Sequence, residues 1–269
     1  MYRPNQLQVA TEFFGRLSIA RQRLLLLDQG AVVGSRVPSG AHAPTIVEIN
    51  DILERVLRET DTHVVIISSG SARELQTRLE LNPAPEIWGN NGRERILPDG
   101  QYSNEPLDPS QSRALIIARN VLIRQNLESQ LEQMPGGIAL RWRGLTAAAA
   151  NHARRLALSA WKPIAEGNSL DLTERGGGLE LTAAYGVRSE AVRRLLRDLQ
   201  AGGLVAYVGV DERDEEIFRS LLPPHLPVLM RRESRPSAAR LCITEPEELF
   251  GFLHDWLAAC GLAKEEIDH

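Results

Sequence analysis

Residues 23–28 read Arg23-Leu24-Leu25-Leu26-Leu27-Asp28, and the fold turns on them. Four consecutive leucines leave no polar face. A half-buried strand alternates polar with apolar residues, whereas a short unbroken apolar run reads as a strand covered on both sides. Such strands belong to parallel sheets with helices packed on each face. Asp28 closes the run at the carboxyl end of the strand, where open parallel sheets keep their ligand sites.

Working outward, the pattern repeats. His63 to Ile67 form a second buried strand, ending at Ser68, Ser69 and Gly70. Leu204 to Val208 form a third, ending at Gly209, Val210 and Asp211. Glu86 to Gly89, Leu226 to Met230 and Arg240 to Ile243 read as further strands. Arg93 to Leu97 with the turn Pro98-Asp99-Gly100 reads as a hairpin. Helical spacing separates them. Ile46, Ile49, Leu53, Val56 and Leu57 follow a start at Pro44-Thr45, and a charged helix runs from Ala72 to about Glu80. Ala191, Val192, Leu195, Leu196 and Leu199 share one face behind Ser189, the expected cap. Pro246 opens a last helix carrying Leu249, Phe252, Leu253, Trp256 and Leu257, and the charged tail from Ala263 is expected to fray.

The texture changes near residue 101. Ser110 to about Gln133 is predicted as one long helix, Gly137 to Arg143 as a half-buried strand, and Thr146 to about Trp161 as an Ala-rich helix. Ser169 to Thr173 and Gly178 to Thr182 are predicted as two more strands. The expected organisation is an α/β core with a parallel sheet, residues 1–102 and 184–269. A smaller α+β domain, residues 103–183, is inserted into it.

Composition excludes several classes. The 269 residues carry a net charge of −4, so no broad basic field exists to attract nucleic acid or anionic lipid. Aromatic residues are 5%, too few for base-stacking platforms. Cys242 and Cys260 are the two cysteines, which excludes a disulfide framework and a cysteine zinc site. His42, His63, His152, His225 and His254 fall at no metal-ligand spacing. No apolar run approaches the roughly 20 residues that span a bilayer. Met1 to Gln8 shows neither the charged region nor the apolar stretch of a signal peptide, so a cytoplasmic protein without nucleic-acid or membrane partners is expected.

Three strand ends therefore carry the candidate chemistry: Asp28, then Ser69-Gly70, then Asp211 with Asp214 and Glu215. Arg188 begins a helix between the second and third. Acids, a hydroxyl and a cation converging on one crevice suggest a phosphate or metal-phosphate site. The same three acids would also suit a helix start, where negative charge complements the dipole.

These residues resemble the haloacid dehalogenase superfamily and, within it, the trehalose-6-phosphate phosphatase family, along the chain from about Arg23 to Leu257. The family runs Asp-x-Asp-Gly-Thr, Ser-Gly-Arg, Gly-Asn-His-Gly-x-Glu, a cap with a His-Tyr-Arg strand, Glu-Leu, a Lys-Gly helix start and Gly-Asp-Asp-x-Thr-Asp-Glu. This chain has, in that order, Asp28-Gln29-Gly30-Ala31, Ser69-Gly70-Ser71 and Gly89-Asn90-Asn91-Gly92-Arg93-Glu94. Arg141-Trp142-Arg143, Leu179-Glu180-Leu181, Arg188-Ser189 and Gly209-Val210-Asp211-Glu212-Arg213-Asp214-Glu215 follow. The resemblance implies a Rossmann-like core with the inserted domain as a cap.

The departures fall on the chemistry. With Asp28 as the family's nucleophile, the acid/base position is Gly30. With Asp28 as the second aspartate, the nucleophile position is Leu26. The first register keeps the better strand. The family's Mg²⁺-binding aspartate is Val210, leaving Asp28, Asp211 and Asp214 as a weak or absent metal set. Ser69, Gly70 and Arg188 remain as the implied phosphate-binding group. Asn91, Glu94, Arg141, Arg143 and Glu180 fall at or near positions that the family uses for sugar. The resemblance implies a catalytically degenerate phosphatase-like protein that binds a sugar phosphate or a partner enzyme of trehalose synthesis, with Mg²⁺ as the cofactor if there is any. The alternatives are an active Mg²⁺-dependent trehalose-6-phosphate phosphatase with Asp28 as nucleophile, and a ligand-free structural protein.

Overall fold

The computed structural model describes residues 4–33, 46–134, 136–175, 177–183, 187–231, 235–243 and 246–262. The expected helix start at Pro44-Thr45 and the tail from Ala263 lie outside them. The chain divides into two compact units, Met1–Tyr102 with Arg188–His269, and Ser103–Val187.

The first unit opens with α1 (Pro4–Leu17), β1 (Arg23–Asp28), the single turn α2 (Gln29–Val32), α3 (Ile46–Glu59), β2 (Thr62–Ile67) and α4 (Ala72–Leu79). β3 (Glu86–Gly89), β4 (Glu94–Ile96) and β5 (Tyr102–Asn104) follow. The second unit holds α5 (Pro109–Ile123), β6 (Leu131–Met134), β7 (Gly137–Arg141), α6 (Ala147–Gly167), β8 (Leu170–Arg175) and β9 (Gly178–Ala183). The chain then returns through α7 (Val187–Asp198), β10 (Leu204–Gly209), α8 (Glu215–Ser220), β11 (Leu226–Met230), β12 (Leu241–Ile243) and α9 (Pro246–Ala259).

The large sheet has the order β12-β11-β10-β1-β2-β3-β4-β5, parallel from β12 to β3, with β4 antiparallel to β3. β1 lies between β10 and β2, which explains its leucines. Leu25 and Leu27 join the core formed with α3 and α9, while Leu24 and Leu26 join the opposite core with Val65, Val192 and Tyr207. Burying each leucine contributes roughly 1.5–3 kcal/mol. A strand sandwiched in this way has no place for a polar residue before its tip.

The sequence reading did not foresee α1. Its aromatic side chains pack onto α9: Phe13 stands 6.0 Å from Trp256 and Phe14 5.4 Å from Phe252, ring centre to ring centre. Its Gln6 closes the edge of the sheet. With the carboxamide oriented to satisfy both ends, it donates to the Cys242 carbonyl at 3.3 Å and accepts from the Cys242 N–H at 3.0 Å. At the amino end of β3, Glu86 is 1% exposed. It accepts from His63 at 2.7 Å, from the Trp88 indole N–H and from Arg95. Burial alone would raise its pKa, but these three donors outweigh burial and hold the carboxyl below its usual range.

The second unit is an antiparallel sheet in the order β6-β7-β9-β8 with α5 and α6 against one face. The helix expected over Ser110 to Gln133 ends at Ile123. Asn126 takes the left-handed φ of 60° and the Leu127 N–H bonds back to the Leu122 carbonyl at 3.1 Å, which closes the helix. β6 follows as an unforeseen strand, because its Leu131-Glu132-Gln133-Met134 has no fully buried residue to give an alternation. The order is thus helix–strand–strand–helix–strand–strand. β7 stops at Arg141, before Trp142, and α6 runs on to Gly167 through Pro163. Ser189 lies inside α7 instead of capping it, and its hydroxyl accepts from Arg193 at 3.0 Å. Among the described residues no helix is long and apolar enough to cross a membrane.

Candidate functional site

The carboxyl ends of β1 and β10 and the start of α7 bring three of the expected residues together. Asp28 caps the single turn α2, its Oδ1 accepting the Gly30 N–H at 2.6 Å. Its Oδ2 pairs with Arg188 Nη1 at 2.7 Å, and the same nitrogen reaches Asp214 Oδ1 at 2.8 Å. Asp28 and Arg188 are each 6% exposed and Asp214 is fully buried. Tyr207, unnoticed in the sequence, donates its hydroxyl to Asp214 Oδ1 at 2.6 Å. The other oxygen of Asp214 accepts the N–H groups of Val210 and Asp211 at 2.8 and 3.0 Å.

Burial raises the pKa of Asp28. Arg188 pulls it down, but Asp214 shares that guanidinium and pushes the other way. Burial alone would weaken the Arg188 cation; the carboxylates of Asp28 and Asp214 outweigh it and hold the guanidinium above its ordinary value. Burial also lifts the Tyr207 phenol well above its usual range, so it stays a hydrogen-bond donor.

Asp211 turns toward its own helix start instead. It accepts the Arg213 N–H at 2.7 Å and the Arg213 guanidinium at 2.8 Å, and that partner holds its carboxyl low against burial. Glu215 pairs with Arg235 and accepts the Ala238 N–H at 2.9 Å. Each carboxylate oxygen of Asp28, Asp211 and Asp214 thus already accepts at least one hydrogen bond. Among the described residues no group of three or more His, Cys, Asp or Glu is disposed to hold a metal ion.

Gly30 and Val210 meet. A Cβ built on Gly30 would lie 2.8 Å from Val210 Cγ2 and 2.9 Å from Asp28 Oδ1. Real Cβ atoms do not approach that closely, so any side chain at residue 30 has to displace the valine.

At the end of β2, the Ser68 hydroxyl donates to Gln29 and accepts the Gly70 N–H at 2.8 Å. Ser69 and Gly70 are half-buried beside it. Asn91, left-handed at φ 59°, donates its backbone N–H to the Ser68 carbonyl at 2.8 Å. Its side-chain oxygen is buried without a partner among the described residues. Glu94 ties this region together. One oxygen accepts the Ala72 N–H at 2.9 Å and the Asn90 amide at 2.6 Å, and the other accepts the Tyr102 hydroxyl at 2.8 Å. It thereby caps α4, where Ser71 makes no side-chain cap. Gly89 is required by the same packing, since a Cβ there would stand 2.3 Å from the Ala72 nitrogen.

Within the second unit, Arg141 pairs with Glu180 at 2.7 Å and with Glu132 at 2.7 Å across adjacent strands, and Arg143 is exposed beyond β7. Glu132 was hidden by the helix expected over it. Tyr207 offered a signal, as the one aromatic residue in the otherwise aliphatic run Leu204 to Val208.

The core so built, a parallel sheet with acids at the tips of β1 and β10 and a second unit inserted between β5 and α7, is the fold of haloacid dehalogenase-like hydrolases. A hydrolase of that kind from Bacteroides thetaiotaomicron superposes with a TM-score of 0.56 at 12% identity, over 87% of this chain and 98% of that one. More narrowly, the fold is that of trehalose-6-phosphate phosphatases. The C-terminal domain of the Candida albicans trehalose-6-phosphate phosphatase matches with a TM-score of 0.64 at 16% identity, over 98% of this chain and 99% of that one. The C-terminal domain of a Candida albicans trehalose synthase regulatory protein matches with a TM-score of 0.59 at 13% identity, over 86% of this chain and 93% of that one. No protein-family model matches the sequence, and no curated protein matches it.

Proposed function

We propose that this protein has given up phosphate-ester hydrolysis and acts by binding a partner enzyme of trehalose synthesis. The observation that carries this reading is the contact between Gly30 and Val210. By the resemblance, these two positions should supply the general acid and the metal-binding carboxylate. Here an aliphatic side chain fills the space that the acid would need.

The energetic consequences compound. Loss of a general acid typically costs about 10²–10⁴-fold in rate. A magnesium ion would add several kcal/mol of charge stabilisation. It prefers near-octahedral oxygen ligands, while Val210 offers none and the neighbouring carboxylates are committed to Arg188, Arg213, Tyr207 and backbone N–H groups. The residues present do not fit the ion. At these strand tips four carboxylates, Asp28, Asp211, Asp214 and Glu215, face the three guanidinium groups of Arg188, Arg213 and Arg235. The Arg188 cation that a phosphate ester would need is already committed to Asp28 and Asp214, which disfavours the sugar-phosphate ligand and leaves the partner. The likeness in fold to a regulatory protein is in keeping with this choice.

A second reading, retained hydrolysis, draws on the buried Asp28–Arg188–Asp214 network, which holds Asp28 firmly at the strand tip. Phosphate release from trehalose-6-phosphate with and without Mg²⁺ decides between them. The expected outcome is release no faster than in buffer. Mg²⁺-dependent turnover that disappears in Asp28→Asn would establish the second reading instead.

A further inference from the structure

α5 packs one face into the second unit and leaves the other bare. Ala114, Leu115, Ala118 and Leu122 are buried, and the Trp161 indole N–H donates to the Ala118 carbonyl at 3.0 Å. At 3.6 residues per turn the opposite stripe is Arg113, Ile116, Ile117, Asn120 and Arg124, all exposed. Ile116 and Ile117 are 60% and 54% exposed, the one pair of sequence neighbours among the exposed large apolar side chains of the described residues. Isoleucine is a poor choice for a bare helix face. Its branched Cβ lowers helix propensity, and its apolar surface is unfavourable in water. A second helix laid over the pair removes the solvation cost.

The charges around the pair have one sign, and α5 itself contains no acidic residue. Elsewhere on its surface this chain matches arginine with glutamate. Arg55 pairs with Glu59 and Arg58 with Glu54 on α3, and Arg193 and Arg197 pair with Glu190 on α7. On α5, Arg119 reaches Glu128 at 3.4 Å. Arg113 and Arg124 form no ion pair among the described residues. They stand at the two ends of the stripe, about 16 Å apart along the axis at 1.5 Å per residue. Asp108, before the helix, accepts from the N–H and hydroxyl of Ser110 as its cap. An apolar pair between two unmatched cations complements a helix that carries apolar residues one turn apart with carboxylates around them. A second copy of α5 is no match, since it sets cations against cations with no acid on either stripe. A lipid surface calls for a continuous apolar face, and this helix keeps its other apolar residues inside.

We propose that the stripe from Arg113 to Arg124 is the docking face for an acidic amphipathic helix of a partner protein. The inference rests on the reading that this protein acts by binding a partner, and it names the surface and the partner's chemistry. The probe is an alanine-based peptide of about 15 residues, with leucines at i, i+4 and i+7 flanked by glutamates. Titrated into the full chain and followed by anisotropy of a label on the peptide, it should saturate one site below about 1 mM and weaken as salt rises. The same peptide with lysine for every glutamate should not bind. The double variants Ile116→Gln/Ile117→Gln and Arg113→Gln/Arg124→Gln change exposed side chains, so the melting temperature should stay in place while binding weakens about tenfold or more. Equal binding of the two peptides, no binding of the acidic one up to about 1 mM, or indifference to either double variant would overturn the proposal. So would dimers in sedimentation that Ile116→Gln/Ile117→Gln dissolves, or flotation with phosphatidylglycerol vesicles, since each puts another occupant on the face. The two readings fail separately. A chain that hydrolyses trehalose-6-phosphate and binds the acidic peptide keeps the surface and loses the loss of catalysis; an inert chain that ignores the peptide does the reverse.

Discussion

Asp28 closes β1 and Glu86 opens β3 of the same sheet, and both are almost wholly out of water, 6% and 1% exposed. Their acidities diverge. Glu86 collects donors from His63, Trp88 and Arg95, and its carboxyl is held below the usual range despite burial. Asp28 has one guanidinium, divided with Asp214, and its carboxyl is raised. Burial is common to both, so the supply of donors decides the sign. A satisfied carboxylate stabilises the fold around it. An under-supplied one persists where the surrounding structure holds it, as happens at sites derived from chemistry.

The largest test of this contrast removes the shared cation. Arg188→Met leaves Asp28 and Asp214 facing each other without a counter-charge. Urea unfolding followed by tryptophan fluorescence should show a loss of about 3–5 kcal/mol. An effect below about 1 kcal/mol would mean that the two acids are already neutral together.

Glu86→Gln should cost less, about 1–3 kcal/mol, because the amide keeps one acceptor while the donors of Arg95 and His63 lose their charged partner. The pH dependence has a definite sign. A carboxyl with a lowered folded pKa contributes stability above its ordinary value of 4.5, and that contribution is lost as pH falls through the folded value. The variant should therefore show a shallower decline of melting temperature in acid than the parent.

Asp28→Asn should act in the opposite direction. A carboxyl whose folded pKa is raised is penalised as pH climbs from its ordinary 3.8 through the folded value. The asparagine abolishes the penalty, so the variant should match or exceed the parent at pH 7, by up to about 1 kcal/mol, and lose that advantage toward pH 3. Destabilisation at pH 7 would erase the distinction between the two acids.

How much of this was legible beforehand depended on whether a residue's role is local. Leu24 to Leu27 announced a strand buried on both faces, and with it a parallel sheet, because the pattern lies within the strand itself; the order β10-β1-β2-β3 is visible only in the structure. Asp28, Arg188 and Asp214 were legible as members of one crevice because all three stand at strand or helix ends. What stayed hidden was pairwise. Glu94 looked like a sugar-contacting residue, but its three donors come from residues 72, 90 and 102. Glu86 passed as the first residue of a strand. α1 was missed because its apolar residues become meaningful only against Trp256 and Phe252 at the far end of the chain. β6 was missed because an edge strand with no fully buried residue carries no period.

The Gln6 carboxamide on Cys242 has a consequence for how copies of this chain can meet. It presents a donor and an acceptor to β12 much as one peptide unit of a neighbouring strand would. An incoming segment would have to evict it before hydrogen bonding to that margin. Self-association by extension of the sheet is thereby obstructed on the β12 side, and the three-residue, solvent-facing β5 terminates the opposite side with little length to template growth.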